Sequence, residues 1–133
     1  MSWSVNRVDK RGVNVVFCLT FTVVVLLCCF FAAKYAILKL RVSFAEGQIS
    51  IFEAMKSSLD NITDPQELSA ELEYVVNYYP SGSKQVRGSQ LDRIVEIARA
   101  NATSEIINRL HAVTAKDLGN DPQRWIKEYP PKP

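Results

Sequence analysis

From Val13 to Ala33 the chain runs without one charged side chain, between Arg11 on one side and Lys34 on the other. At ~1.5 Å per helical residue the run reaches roughly 30 Å, about the hydrocarbon thickness of a bilayer. Its only polar members are Asn14 at the edge and Thr20 and Thr22 inside. A threonine hydroxyl bonds back to a carbonyl one turn earlier, so neither is left unsatisfied in lipid. The expectation is a transmembrane helix over 13–36, preceded by a short basic tail at 1–12.

A cleaved signal peptide fits less well. The run is long for an h-region, and no small-x-small site follows it. Cleavage after Ala33 puts Phe31 at the third position back, and cleavage after Ala36 puts Lys34 there. Lipoprotein processing at Cys28 is opposed by Leu27 before it. Arg7, Lys10 and Arg11 on one flank balance Lys34, Lys39 and Arg41 on the other, so the positive-inside rule decides little. A short N-terminal tail ahead of a larger downstream part points to a single-pass protein of the cell inner membrane, N-terminus cytoplasmic and C-terminal part outside. Cys18, Cys28 and Cys29 all fall in the apolar run. They therefore staple nothing outside it and read as small polarizable side chains, with acylation near an interface as the alternative.

The formal net charge of +2 conceals a partition. Residues 1–41 hold the six bases named above against Asp9, whereas residues 43–133 hold ten bases and thirteen acids. The basic charge belongs to the anchor, where it suits anionic head groups, and is not the footprint of a nucleic-acid-binding domain. Beyond the anchor, residues 43–80 carry seven acids against Lys56 alone, while 81–133 carry nine bases against six acids. Oppositely charged halves of this kind pack against each other, with surface pairs that contribute only ~0–1 kcal/mol each.

Periodicity outside the run is helical. Leu38, Leu40, Val42 and Phe44 alternate as in a strand, but a lone strand leaving a membrane helix has nothing to pair with, so helix is the better reading. Ile51, Phe52, Met55, Leu59 and Ile62 form one apolar stripe in a juxtamembrane stalk at 37–63. Asp64-Pro65 with Glu67 three residues after the cap starts a helix that stops before Pro80. Its apolar face is Leu68, Leu72, Val75, Val76 and Tyr79, and its outer face carries Glu67, Glu71 and Glu73. Pro80-Ser81-Gly82-Ser83 is a turn. Ser89 caps the next helix, whose stripe is Leu91, Ile94, Val95, Ala98, Ala102, Ile106, Leu110 and Val113. Asp121-Pro122 opens a short helix through Trp125 and Ile126, and Pro130-Pro131-Lys132-Pro133 cannot continue it.

Few residues here carry chemistry. His111 is the only histidine and reads as a boundary residue. With no second histidine and no cysteine outside the run, no metal site and no cofactor are expected. Gly82-Ser83-Lys84 lacks the first glycine and the preceding strand of a phosphate loop. The cluster Tyr74, Tyr78, Tyr79 beside Pro80 is the most unusual composition outside the run. It reads either as helix-end packing or as an aromatic patch of the kind enriched in interface hot spots.

Thr114-Ala115-Lys116-Asp117-Leu118-Gly119-Asn120-Asp121-Pro122-Gln123-Arg124-Trp125 resembles the helix-exit pattern Thr-Gly-x-Asp-x-Gly-x-Asp-x-x-x-Trp that closes HEAT-type helical repeats in bacterial proteins. Ala115 stands where that pattern has glycine. Tyr74 through Tyr129 resembles the body of small, N-terminally membrane-anchored bacterial proteins of uncharacterised function. The resemblance covers less than half the chain. It implies that Trp125 folds back on the preceding helix, and it brings no catalytic residue with it.

The expected fold is all-α: one N-terminal transmembrane helix, the stalk, a small three- to four-helix soluble bundle at 64–129, and a proline-rich tail at 130–133. The expected role is protein–protein interaction or scaffolding at a membrane surface. The partners would be the lipid bilayer and a protein, with Tyr74, Tyr78, Tyr79, Glu67 and Glu71 as contact residues. The rival readings are a carboxylate-dependent membrane-bound enzyme using Glu67, Glu71 and His111, and an accessory subunit of a larger membrane complex.

Overall fold

In the computed structural model, which describes residues 10–78 and 80–132, the uncharged run lies inside one helix, α1 (Lys10–Ser58). A 3-10 turn (Leu59–Asn61) follows, then α2 (Pro65–Asn77), α3 (Gln90–Thr114) and α4 (Pro122–Glu128). No strand occurs among the described residues. Residues 38–44 are helical, because α1 supplies their backbone bonds without a partner strand. Residues 1–9 of the basic tail, Tyr79 and Pro133 lie outside the described residues.

The chain divides into two units, 1–39 and 40–133. In the first, α1 is long and apolar enough to cross a membrane, with a mean hydropathy of 2.9 in its most apolar window. Its large side chains are exposed along their whole length, from Val15 to Phe31. Thr20 and Thr22 donate to the carbonyls of Val16 and Cys18, each at 2.8 Å, so both hydroxyls are satisfied within the helix. The three cysteines are free.

In the second unit the rest of α1 is a bundle helix. The sequence separates a stalk at 37–63 from a bundle at 64–129, but Ala45, Phe52, Leu59 and Ile62 are buried with Leu68, Leu72, Val75, Ile106, Leu110 and Trp125 in one core. Of the expected stalk stripe, Phe52, Leu59 and Ile62 lie in that core and Met55 packs against it, whereas Ile51 does not and Ala45 and Ile49 take part instead. Each fully buried large side chain contributes ~1.5–3 kcal/mol relative to exposure. Phe52, Leu72, Leu110 and Trp125, all fully buried, therefore dominate the stability of this unit. α2 and α3 form the most extensively packed pair. Ala102 of α3, a small side chain, is fully buried.

Two Asp-Pro starts behave alike. Asp64 accepts from the amide of Gln66 and Asp121 from that of Gln123, each at 3.0 Å, with proline at the first helical position. Both caps therefore close on the second helical residue, one short of the Glu67 position that a capping box uses. Ser89 accepts from the Asp92 amide at 3.2 Å. The α3 stripe differs from the expected one at two places: Ile94 is half exposed, and Ile107 is buried instead. The buried residues of α3 run from Asp92 and Val95 through Ala102 to Ile106, Ile107 and Leu110, so the buried face turns around the helix along its length.

Trp125 is buried, donates Nε1–H to the Gly119 carbonyl at 2.8 Å, and meets the edge of His111 at 4.8 Å between ring centroids. Lys132 reaches back to the cap of α2, placing Nζ 2.7 Å from Asp64 Oδ2. That bond, together with the Gln66 amide, holds the Asp64 carboxyl below its usual pKa.

Candidate functional site

Helical geometry brings four of the five expected contact residues together. Positions 67, 71, 74 and 78 recur at steps of four, three and four, and so fall on one side of α2. Glu67 and Tyr74 are exposed, while Glu71 and Tyr78 are partly covered. Glu71 is therefore not on the fully solvated face where the pattern of acids puts it. Burial, and then the neighbouring Glu67 carboxylate, raise its pKa above the ordinary glutamate value.

The Tyr74 and Tyr78 rings stack at 4.6 Å between centroids and 23° between planes. Tyr78 caps the helix, its amide donating to the Tyr74 carbonyl at 2.7 Å. Its own carbonyl accepts from Arg99 Nη2 at 3.0 Å, which ties the end of α2 to α3. Tyr74 stays 44% exposed, so the stack has one bonded member and one that faces outward. Beside it lies an open hollow of about 390 Å³ lined by Ala70, Glu73, Tyr74, Asn77 and Tyr78. Glu73 belongs to the acidic outer face expected from the sequence, whereas Ala70 and Asn77 have no place in that expectation. Their spacing against Tyr74 and Tyr78 was readable, but short and polar residues give no compositional signal.

His111 and the two glutamates are not drawn into a common site by any bond. His111 Nδ1 sits 2.8 Å from the Lys116 carbonyl, its Nε2 3.9 Å from Asp117 Oδ1, and its ring against Trp125. Among the described residues, no group of three or more His, Cys, Asp or Glu is placed to hold a metal. Gly82-Ser83-Lys84 does bind an anion through a backbone amide, but that anion is the protein's own Asp92. Asp92 accepts from the amides of Gly88 and Gly82, at 2.8 and 3.1 Å, and from Ser81 Oγ at 2.9 Å. Those bonds, the Gly88 amide first, lower its pKa.

The chain matches no known protein family, no curated protein and no solved structure.

Proposed function

We propose that the chain is a single-pass membrane protein whose helical unit docks a protein partner at the membrane surface, through the Glu67–Glu71–Tyr74–Tyr78 flank of α2. The observation that carries this reading is the half-exposed tyrosine stack beside an open hollow. A stacked aromatic pair presents a large, rigid area that loses little conformational freedom on binding. The acids above it add a charge that favours a basic partner. The anchor rests on the long, apolar stretch of α1, none of whose most apolar window is buried.

The reading is of a non-enzymatic module. A catalytic site needs convergent polar groups in a concavity, and His111 is turned onto Trp125 and the Lys116 carbonyl instead. A photo-crosslinking amino acid at position 74, in the full chain in its native membrane, tests the proposal. A discrete adduct that disappears when Glu67 and Glu71 are both changed to Gln is the expected result. The same position yielding no adduct, while the chain stays embedded after alkaline carbonate washing, would sink it.

A further inference from the structure

The α2–α3 turn lies at the end of the second unit where that unit's chain begins. Gln85 Nε2 donates to the Arg41 carbonyl at 3.1 Å, and Lys84 Nζ lies 5.2 Å from the centre of the Phe44 ring. Gln85 is buried, which seats the turn on α1. Asp92 holds the turn from beneath through the Gly82 and Gly88 amides and Ser81 Oγ. Gly82, at φ +81, passes so close to Arg87 that a Cβ there would meet the Arg87 Cβ at 3.0 Å. The turn is therefore a preformed element, and from it Val86 projects 51% exposed between Lys84 and Arg87. Phe44 and Leu40, 42% and 56% exposed, stand on α1 at the same end. Residues 80–91 carry these two bases and no acid, and Asp92 is buried under the turn.

We infer that this end of the unit is a second, peripheral membrane contact. Val86 and Phe44 enter the interface of the bilayer, while Arg41, Lys84 and Arg87 bind the head groups of anionic phospholipids. The inference rests on the anchor proposed above. Arg41 follows Ala33 by eight positions. A segment of that length spans at most roughly 30 Å even when extended, so Arg41 stays within that reach of the end of the apolar run whatever the intervening conformation. Basic side chains flanking an apolar tip are the chemistry that a negatively charged leaflet attracts. The attraction falls off within a Debye length of about 10 Å at 0.1 M salt, a range that a tethered surface reaches and a free one visits rarely. Docking here would fix how the tyrosine flank of α2 is presented at the membrane.

The test uses the full chain with Cys18, Cys28 and Cys29 changed to Ala and an environment-sensitive nitrobenzoxadiazole dye on Val86→Cys, in vesicles. Phosphatidylcholine alone is compared with phosphatidylcholine containing phosphatidylserine. The expected result is a blue-shifted emission, quenched by spin-labelled lipid, only in the vesicles that contain phosphatidylserine. High salt should remove it, and the docked-to-undocked ratio should fall roughly fivefold for each of Lys84→Gln and Arg87→Gln. The same dye on Asn108→Cys, at an exposed position further along α3, should not respond. A chain that floats with the vesicles and resists carbonate, yet shows an unshifted dye at position 86, overturns this inference and leaves the anchor standing. An equal shift in neutral vesicles also overturns it, because the contact would then not recognise charge. Release of the chain by carbonate removes the anchor and this contact together.

Discussion

Arg109 holds the Ile62 carbonyl oxygen with two nitrogens, Nε at 3.2 Å and Nη2 at 3.1 Å, across 47 positions of sequence, and its Nη2 also reaches the Asp60 carbonyl at 3.0 Å. The chain leaves α1 there through the 3-10 turn, and the carbonyls at its end have no helical partner. A planar guanidinium satisfies two carbonyls at once, Ile62 and Asp60, in a fixed fork that a lysine ammonium at the end of a flexible stem does not offer. Arg109→Ala is expected to cost about 1–2 kcal/mol, and Arg109→Lys to recover less than half of that. Denaturant unfolding of the full chain in detergent micelles, followed by helical circular dichroism, measures both.

Trp125 is the largest fully buried side chain, and its indole N–H is bonded to Gly119. Trp125→Ala should remove about 3–5 kcal/mol, because Trp125 is the one buried residue of α4 and its removal leaves a cavity under that helix. Trp125→Phe should lose only about 1 kcal/mol beyond the volume change, the worth of the Nε1 bond. Equal losses from the two substitutions would mean that the hydrogen bond, not the packing, holds α4 down.

Asp92 supplies a pH dependence whose sign follows from its depressed pKa. A carboxylate that ionises more readily in the folded than in the unfolded chain stabilises the fold above its unfolded pKa, and that contribution is lost as pH falls through the folded value. Asp92→Asn should therefore lower the melting temperature at neutral pH. The gap to the unaltered chain should close as the medium is acidified below the ordinary carboxylate range. A gap that stayed constant with pH would mean that the amide side chain fails for reasons of shape and not of charge.

The starts of the helices were legible because they are local. Asp64-Pro65, Ser89 and Asp121-Pro122 each close their first turn with their own side chains, whatever packs above. The second half of α1 was harder to read. Phe52, Leu59 and Ile62 have the spacing of a stalk's apolar side and of a core face alike, and only their burial in one core with Leu68, Leu72, Ile106 and Leu110 decides which. Ile94 is half exposed and Ile107 buried because the buried side of α3 is set by what packs on it along its length, which periodicity alone does not specify. The tyrosine flank was legible as a spacing. That Tyr78 is tied down by Arg99 and Tyr74 left outward depended on contacts 21 positions apart. The turn at 80–88 left no trace in periodicity, because its seat on α1 is the bond from Gln85 to the Arg41 carbonyl, 44 positions away.

Glu71 carries the opposite sign from Asp92. Its pKa is raised by burial and by Glu67, so its ionised form at neutral pH opposes folding, and that cost vanishes when pH falls below the glutamate range. Glu71→Gln should stabilise the unit by a few tenths of a kcal/mol near neutral pH, the size of a like-charge pair four residues apart on a helix. The gain should shrink with added salt and disappear in acid. Thermal unfolding across a pH series separates this from a general propensity effect, which would persist at every pH.

Ala115 is the one non-glycine residue with positive φ among the described residues, at φ 53 and ψ 19, directly after α3. Its amide closes the helix on the His111 carbonyl at 3.0 Å, so the left-handed conformation belongs to the cap and cannot relax without opening the last turn. A Cβ in that region costs roughly 1–2 kcal/mol, and glycine avoids this while giving back about 0.5–1 kcal/mol of chain freedom in the unfolded state. Ala115→Gly should therefore stabilise the second unit by about 0.5–1 kcal/mol, whereas Ala115→Val, with a β-branched side chain at positive φ, should destabilise it by more than 1 kcal/mol. Urea midpoints for the two substitutions should move to opposite sides of the unaltered chain. If glycine lowered the midpoint instead, the exit from α3 would not be left-handed at Ala115.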